Sequence, residues 1–401
     1  MRRQPAMPIR SPFESSIAKP GQGHVVLSLL PPNNPTLTTL TYKYPLKLVP
    51  RAPGFVPTPD PAALSDECPS RPVHLYLLTY GGGLLPGDHI EVTIELEQRT
   101  RMVVTTPQGS TKIFKTDPSA DSSFNVIKGH RNKLPANEHI SDMSQQSLDV
   151  KIGRQAALCY LPDPSVPYKN SRYAQVQTFT VDASAKGDQR SSLCVLDWVT
   201  QGRTSRGENW NFRFWKGRNE VWATDAKSGK SRLLLRDSVI LDDESEALDD
   251  SDSEEESGGG GIESGLNSHS NRAETPPPQP GLLPLNEIIQ ERTRPHGVVG
   301  TLILSGPIFD KLGAYLLHQF TSQPRIGSRN WSSNSSTAPE ASLSTNGDGH
   351  VTWTAARVRA GFVLVKFGAK DFETAKHWLG GLLREEGSII REFGEEALFC
   401  L

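Results

Sequence analysis

Residues 80–115 have the sequence YGGGLLPGDHIEVTIELEQRTRMVVTTPQGSTKIFK, and this stretch indicates the fold of the chain. Apolar and polar side chains alternate from residue 90 to residue 97, so four apolar side chains share one face and three carboxylates lie on the other. Residues 102–106 predict the next strand, and a polar loop follows from residue 108 to residue 115. Because sites are often built where strands end, the polar residues of these turns are the first candidates for function.

The rest of the chain repeats this pattern of short strands separated by turn residues, which predicts a mainly β fold. The predicted strands cover residues 24–30, 36–42, 73–80, 90–96, 102–106, 124–127, 156–161, 175–181, 193–200, 210–215, 220–223, 233–235, 298–304 and much of 351–367. Only two helices are expected. Apolar residues spaced four apart from Ile308 to Phe320 predict the first, and Asp371 predicts the N-cap of the second.

Composition predicts one β domain over residues 23–401, preceded by a disordered tail at 1–22. The 34 glycines, 31 prolines and 36 % apolar content indicate much loop around an ordinary core. Residues 241–282, acidic and then rich in Gly and Pro, and the polar residues 323–349 are expected to be disordered insertions. Residues 51–72 are expected to form a Pro-rich surface loop.

Charge and targeting signals limit the class of protein. Residues 242–256 hold ten acids and no base, which leaves +8 on the rest of a chain whose net charge is −2. No cluster of Arg and Lys with interleaved aromatics is present, so nucleic-acid binding is not expected. No apolar run reaches 18 residues and the N-terminal segment has no apolar signal region, so we expect no membrane span and a cytoplasmic location. The four cysteines are widely spaced, which indicates free thiols.

The glycine-rich motifs are better explained by structure than by phosphate binding. Gly81, Gly82 and Gly83 lack the spacing of a dinucleotide fingerprint, and a strand follows where that motif needs a helix, so a tight turn is expected. Gly87 and Asp88 predict a second turn, in which Asp88 either caps nearby amides or faces a polar cavity. The segment 228–231 resembles the end of a P-loop, but Thr224 stands where the first glycine is needed.

Two further loops carry candidate polar residues. The loop 202–210, GRTSRGENW, presents Arg203, Gly207 and Glu208 between two predicted strands. Glu208 either pairs with an arginine and fixes the turn, or serves as a carboxylate ligand for a divalent cation. Asp163, in the segment LPDP, lies in a turn that the prolines fix. No serine-hydrolase elbow, zinc-protease helix or other catalytic constellation is present in the sequence.

Taken together, the motifs resemble the UreD (UreH) family of urease accessory proteins. The segments that carry the resemblance are YGGGLLPGD at 80–88, TTPQGSTKIFK at 105–115, LCYLPDPSVPY at 158–168, GRTSRGENWNF at 202–212 and VRAGFVLVKF at 358–367. The likeness extends over most of residues 24–240 and 296–400, and its specificity comes from the order of several motifs. Pro107 stands where relatives commonly have Thr, and the long insertions favour a fungal-type homologue.

The resemblance implies two layers of mixed β-sheet in a helical β arrangement, with two α-helices. It also implies a non-enzymatic metallochaperone scaffold for urease maturation, in complex with urease, UreF and the GTPase UreG. Nickel would be in transit through an internal polar channel, with no permanently bound cofactor. Residues in the matched loops are the candidates for that path: Asp88, Gln108, Ser110, Asp163 and Glu208.

Two other functions remain open at the level of sequence. A purely structural adaptor would position its partners on urease and carry no nickel. A β-sandwich enzyme acting on sugars would use a carboxylate pair such as Asp88 and Glu208 across an open cleft.

Overall fold

The computed structural model describes residues 19–51, 70–106, 112–114, 143–225, 228–242, 288–323 and 351–401. Residues 1–18 of the predicted tail, most of the three predicted insertions, the predicted strand at 124–127 and the residues Gln108 and Ser110 lie outside these ranges.

Strands dominate the described residues, which confirms the predicted mainly β class. In chain order they are β1 Gln22–Leu30, β2 Asn34–Tyr42, β3 Leu46–Arg51, β4 Val73–Thr79, β5 Gly83–Leu84, β6 His89–Leu96, β7 Arg101–Thr105, β8 Lys112–Ile113, β9 Ser144–Ile152, β10 Ala157–Tyr160, β11 Val166–Pro167, β12 Arg172–Asp182, β13 Ser192–Thr200, β14 Phe214–Thr224, β15 Ser231–Asp242, β16 Val298–Ser305, β17 Val351–Arg357 and β18 Val363–Ala369.

The strands form three sheets that the chain visits in turn. A seven-stranded sheet has the order β15-β14-β12-β9-β6-β1-β2, an eight-stranded sheet the order β17-β18-β16-β13-β10-β7-β4-β3, and a short sheet the order β11-β8-β5. Three successive coils, β4-β5-β6, β7-β8-β9 and β10-β11-β12, each contribute one strand to the eight-stranded, the short and the seven-stranded sheet. The pairs between coils are parallel, so the centre of the protein is a helical β arrangement, as the family resemblance implied.

The fourth coil departs from this pattern. Strand β13 passes to β14 without a short strand, and antiparallel strands extend both large sheets beyond the coils. Residues 210–213 were predicted as strand, but they belong to the connecting turn, and Trp210 takes a left-handed φ of 58° there. The predicted strand at 220–223 is part of the longer β14. The polar strand β9 was missed because its sequence SQQSLDVKI has little β propensity.

Two cores hold the sheets in place. Inside the coils, side chains such as Ile94, Phe179 and Trp215 are buried between the large sheets. On the outer side of the eight-stranded sheet a second core packs against helices. Because β13 contributes to both cores, all nine of its residues are buried.

The helices are α1 Ile288–Thr293, α2 Asp310–Thr321, α3 Phe372–Glu386 and α4 Ser388–Phe393. The two longer helices are those predicted from the sequence, and Leu312, Leu316 and Leu379 lie in the second core. The expectation of only two helices was too low, because α1 and α4 are six residues long and too short to produce a clear period. No described helix is long and apolar enough to cross a membrane.

We expect Asp371→Ala to lower the free energy of unfolding by about 1 kcal/mol. The Asp371 carboxylate caps α3 by accepting a hydrogen bond of 2.8 Å from the Thr374 backbone N–H. Urea unfolding of the wild type, Asp371→Ala and Asp371→Asn measures the effect. Since Asn also caps helices well, Asp371→Asn is the control with little change, and equal losses in both variants would contradict the cap.

Candidate functional site

Three of the matched sequence motifs, at 80–88, 158–168 and 202–212, lie at one corner of the coils, where the chain leaves the eight-stranded sheet. The turns 80–88, 161–171 and 201–213 follow β4, β10 and β13. The short sheet joins the segments that follow β4, β7 and β10, because Gly83 pairs with Lys112 and Lys112 pairs with Val166. Residues far apart in sequence are therefore neighbours at this corner.

Asp88 has the geometry of a turn cap. Its Oδ2 accepts a hydrogen bond of 2.8 Å from the Leu85 N–H, and its own N–H donates to the Leu85 carbonyl at 2.9 Å. The side chain is half-buried. Gly81, Gly82 and Gly87 have φ values of 85°, 75° and 81°, a region where glycine is strongly favoured.

Gly83 has a different requirement, because its backbone packs closely against residues 112–114, which follow β7. A Cβ at this position would lie 2.7 Å from the Phe114 ring and would also collide with the Lys112 carbonyl oxygen. The glycine therefore allows residues 80–88 to stack on residues 112–114.

Glu208 and Arg203 form an ion pair at the same corner. The Arg203 guanidinium donates through both Nε and Nη2 to Glu208 Oε1, and the Arg203 backbone N–H donates to Oε2 at 3.0 Å. The guanidinium also stacks 3.7 Å from the centroid of the Tyr168 ring, and Gly207 closes the turn with a φ of 72°. Burial favours the neutral acid, but the hydrogen bonds from Arg203 outweigh burial and hold the pKa of Glu208 below its usual value.

Asp163 has a different environment, since one of its oxygens lacks a hydrogen-bond partner. Its backbone N–H donates to Thr106 Oγ1 at 2.7 Å, whereas its carboxylate Oδ1 is buried and has no hydrogen-bond partner. Only 6 % of the residue is exposed. Burial raises the pKa of Asp163 to about 6, against the opposing effects of Cys400 and Lys376.

Asp163 stands between two cavities. The inner cavity, about 30 Å³ in volume, lies inside the coils and is bounded by Asp163, Gln175, Gln177 and Asp197 among others. That volume accommodates one or two water molecules. The outer cavity, about 490 Å³, is bounded by Asp163, Thr200, Gly202, Thr204, Asp371 and Glu373 among others. A single buried carboxylate therefore faces both a surface cleft and the interior of the fold.

Asp197 is the central polar residue of the interior, and sequence reasoning missed it. It accepts hydrogen bonds from Gln175 Nε2 at 2.5 Å and from Asn219 Nδ2 at 2.8 Å. A Cβ on Gly217 would lie 2.6 Å from its Oδ2, so this glycine makes room for the carboxylate. Burial raises the pKa of Asp197 to about 6, and nearby Asp237 adds to the effect. The available signal was one acid within the apolar run 193–200.

The polar interior continues to the far edge of the seven-stranded sheet. Asn219 on β14 lies opposite Asp237 on β15. Asp237 forms an ion pair of 2.7 Å with Lys366 on β18, whose side chain is half exposed. The row Asp163, Asp197, Asn219 and Asp237 thus leads from the outer cavity towards the opposite surface.

Several oxygen atoms along this row, and one on Gln177 opposite Asn219, lack a hydrogen-bond donor. Asp163 Oδ1, Gln177 Oε1, Asn219 Oδ1 and Asp237 Oδ2 are buried and have no hydrogen-bond partner within the protein. A buried acceptor left in this state costs about 1–3 kcal/mol, so such oxygens favour a water molecule or a cation. Among the described residues, no group of three or more His, Cys, Asp and Glu side chains is arranged to hold a metal ion.

The chain belongs to the family described as UreD urease accessory protein, whose model matches residues 21–257. A Schizosaccharomyces pombe protein described as an uncharacterized ureD-like urease accessory protein is 25 % identical over 316 residues, which cover 79 % of this chain and 82 % of that protein. Urease accessory protein 4 of Cryptococcus neoformans is 29 % identical, with 54 % of this chain and 61 % of that protein aligned. Urease accessory protein D of Arabidopsis thaliana is 31 % identical, with 52 % and 56 % aligned. The chain therefore spans somewhat over half the length of these last two relatives.

We expect the stability contributed by Asp197 and by Glu208 to change with pH in opposite directions. The pKa of Asp197 is higher in the fold than its usual 3.8, so its stabilising effect is fully present below pH 3.8 and is lost as the pH rises through about 6. The stability of Asp197→Asn relative to wild type should therefore rise by about 3 kcal/mol between pH 3.5 and 7.5.

Glu208→Gln is the matched variant, and its effect has the opposite sign. Because the pKa of Glu208 is lowered in the fold, its contribution is present above pH 4.5 and is lost as the pH falls further. The deficit of Glu208→Gln should therefore shrink in acid. Urea unfolding across pH 3.5–8 measures both differences, and parallel pH profiles for the two variants would contradict these assignments.

Proposed function

We propose that this protein is a metallochaperone scaffold for GTP-dependent insertion of nickel into apo-urease, acting in the cytoplasm with UreF and the GTPase UreG. Family membership supports the role in urease maturation. The observation that supports a path for nickel is the buried row of oxygen atoms from Asp163 to Asp237. Nickel is the cargo of this path, and the protein itself catalyses no reaction.

The chemistry of the row suits a divalent ion that must move on. Each position offers one carboxylate or one or two amide oxygens, which are hard ligands that bind nickel without the strength of a thiolate or imidazole cage. Burial raises the pKa of both Asp163 and Asp197 to about 6, which is still below neutral pH, so both carboxylates are mostly ionised there and attract a cation. An ion held by few ligands at each step dissociates readily.

The candidate residues divide into two groups in this proposal. Asp163 stays on the path, joined by Asp197, Asn219 and Asp237. Asp88 shapes the first turn, and both oxygens of Glu208 already accept hydrogen bonds from Arg203, so an ion would have to displace Arg203 to bind there. The same engagement disfavours a sugar-cleaving pair of Asp88 and Glu208, since Glu208 is held by its partner rather than facing substrate.

A structural adaptor that carries no nickel is the second candidate, and one surface favours it. Tyr44, Tyr80 and Leu85 are 65 %, 49 % and 56 % exposed, and the two tyrosine rings lie 5.5 Å apart. Exposed apolar groups of this size commonly mark protein contacts. An adaptor needs this surface but makes no use of buried carboxylates.

Asp163→Asn and Asp197→Asn should reduce urease activation by about tenfold or more while leaving the accessory complex assembled. Both changes keep side-chain volume but remove the charge that attracts the ion, and groups that support metal ligands act on this scale. The measurement is urease activity and nickel content after activation by complexes purified with each variant. Asp88→Asn is the control, because an Asn side chain also caps the turn.

Full activation by both variants at limiting nickel would contradict the path and favour the adaptor. In that case, substitution of Tyr44 and Tyr80 by Ser should weaken assembly instead. If size-exclusion chromatography shows that Asp163→Asn or Asp197→Asn no longer assembles, the loss of activation reflects a folding defect and contradicts a specific role in nickel transfer.

A further inference from the structure

Cys400 lies beside Asp163, the residue that borders both cavities. It belongs to the helical layer and is 2 % exposed. Its thiol donates to the Thr106 carbonyl oxygen at 3.1 Å, and the hydroxyl of the same Thr106 accepts from the Asp163 N–H at 2.7 Å. One residue at the end of β7 therefore anchors both the thiol and the carboxylate.

A second, independent observation indicates a ligand at this point. Asp163 Oδ1 is buried without a hydrogen-bond partner, and the residue borders both cavities. The thiol, the unpartnered carboxylate oxygen and the Thr106 carbonyl offer one sulfur and two oxygen atoms from three separate elements. This set differs from the remainder of the row, where the atoms that could bind a metal are all oxygens.

We infer that Cys400 and Asp163 form a transient site that selects borderline divalent metals such as nickel over magnesium and calcium at the entrance to the interior. The inference rests on the proposed function and defines its substrate class. Carboxylates and carbonyls alone also suit magnesium, whereas a thiolate favours nickel, cobalt and zinc. A sulfur ligand beside Asp163 supplies the discrimination that an oxygen-lined path lacks.

Binding at this site must release a proton. The Cys400 thiol donates a hydrogen bond to the Thr106 carbonyl oxygen, which can only accept, so the sulfur carries its proton when no metal is present. As the metal binds, the S–H bond breaks and a sulfur–metal bond forms, and the proton passes to cavity water. No change in oxidation state occurs. The need to remove this proton keeps the site weaker than a preformed thiolate and so allows the ion to leave.

The test is metal titration of the purified full-length chain with Ni²⁺, and separately with Mg²⁺. The wild type should develop a sulfur-to-nickel charge-transfer absorption in the near ultraviolet, and Cys400→Ser should lose that band and bind Ni²⁺ about tenfold more weakly. Mg²⁺ binding should not change between the two proteins. Cys68→Ser, which removes a thiol elsewhere in the sequence, should keep the band.

Absence of the band in the wild type, or its persistence in Cys400→Ser, would overturn the inference. Cys400→Ser preserves a donor to Thr106, and urea unfolding with Cys400→Ala as a second variant shows whether the fold is intact. The outcome is separable from that of the nickel path. If the sulfur signal is missing while Asp163→Asn and Asp197→Asn still impair activation, the path stands without Cys400, and if both acid variants activate urease fully, the path itself fails.

Discussion

Parallel hydrogen bonding between successive coils is the constraint on which the rest of the structure depends. It aligns β4, β7, β10 and β13 in one sheet and β6, β9, β12 and β14 in another, so the four connecting turns come to lie at one corner. The side chains between the two sheets then have only one another as neighbours. Any polar group between the sheets must therefore find its hydrogen-bond partners within this interior, or in a bound water molecule or ion.

The interior is accordingly a compromise between packing and chemistry. Most of it is apolar, with Phe179, Trp215 and Val195 fully buried. Asp197 breaks this pattern, and the fold supports it with Gln175, Asn219 and the space left by Gly217. Neutral amides stabilise a buried carboxylate less than an arginine does, which is why Asp197 has a raised pKa and Glu208, held by Arg203, has a lowered one. Two buried acids in one protein thus have opposite properties because their partners differ in charge.

Sequence periodicity predicted the fold better than it predicted the site. The strict alternation at 90–97 and the spacing of apolar residues in α2 identified elements correctly, because each has one buried and one exposed face. It failed for β9, whose polar sequence is held in place by parallel neighbours on both sides. It also gave no reason to connect Asp163 with Asp197, since their proximity arises only when β10 and β13 pair. Asp88 and Glu208 each follow a glycine, and an acid beside a glycine is a recognisable turn pattern in a sequence. In the structure both residues do fix turns.

The Tyr168, Arg203 and Glu208 stack has a mechanical consequence. Three coils are joined at this corner by a backbone ladder, but the fourth reaches its neighbour mainly through this stack and a few backbone hydrogen bonds, such as Asn170 N–H to the Asn211 carbonyl. Side-chain contacts can separate and re-form without breaking the backbone hydrogen bonds of a sheet. Opening this corner would therefore break fewer backbone hydrogen bonds than separating the three coils that the short sheet joins.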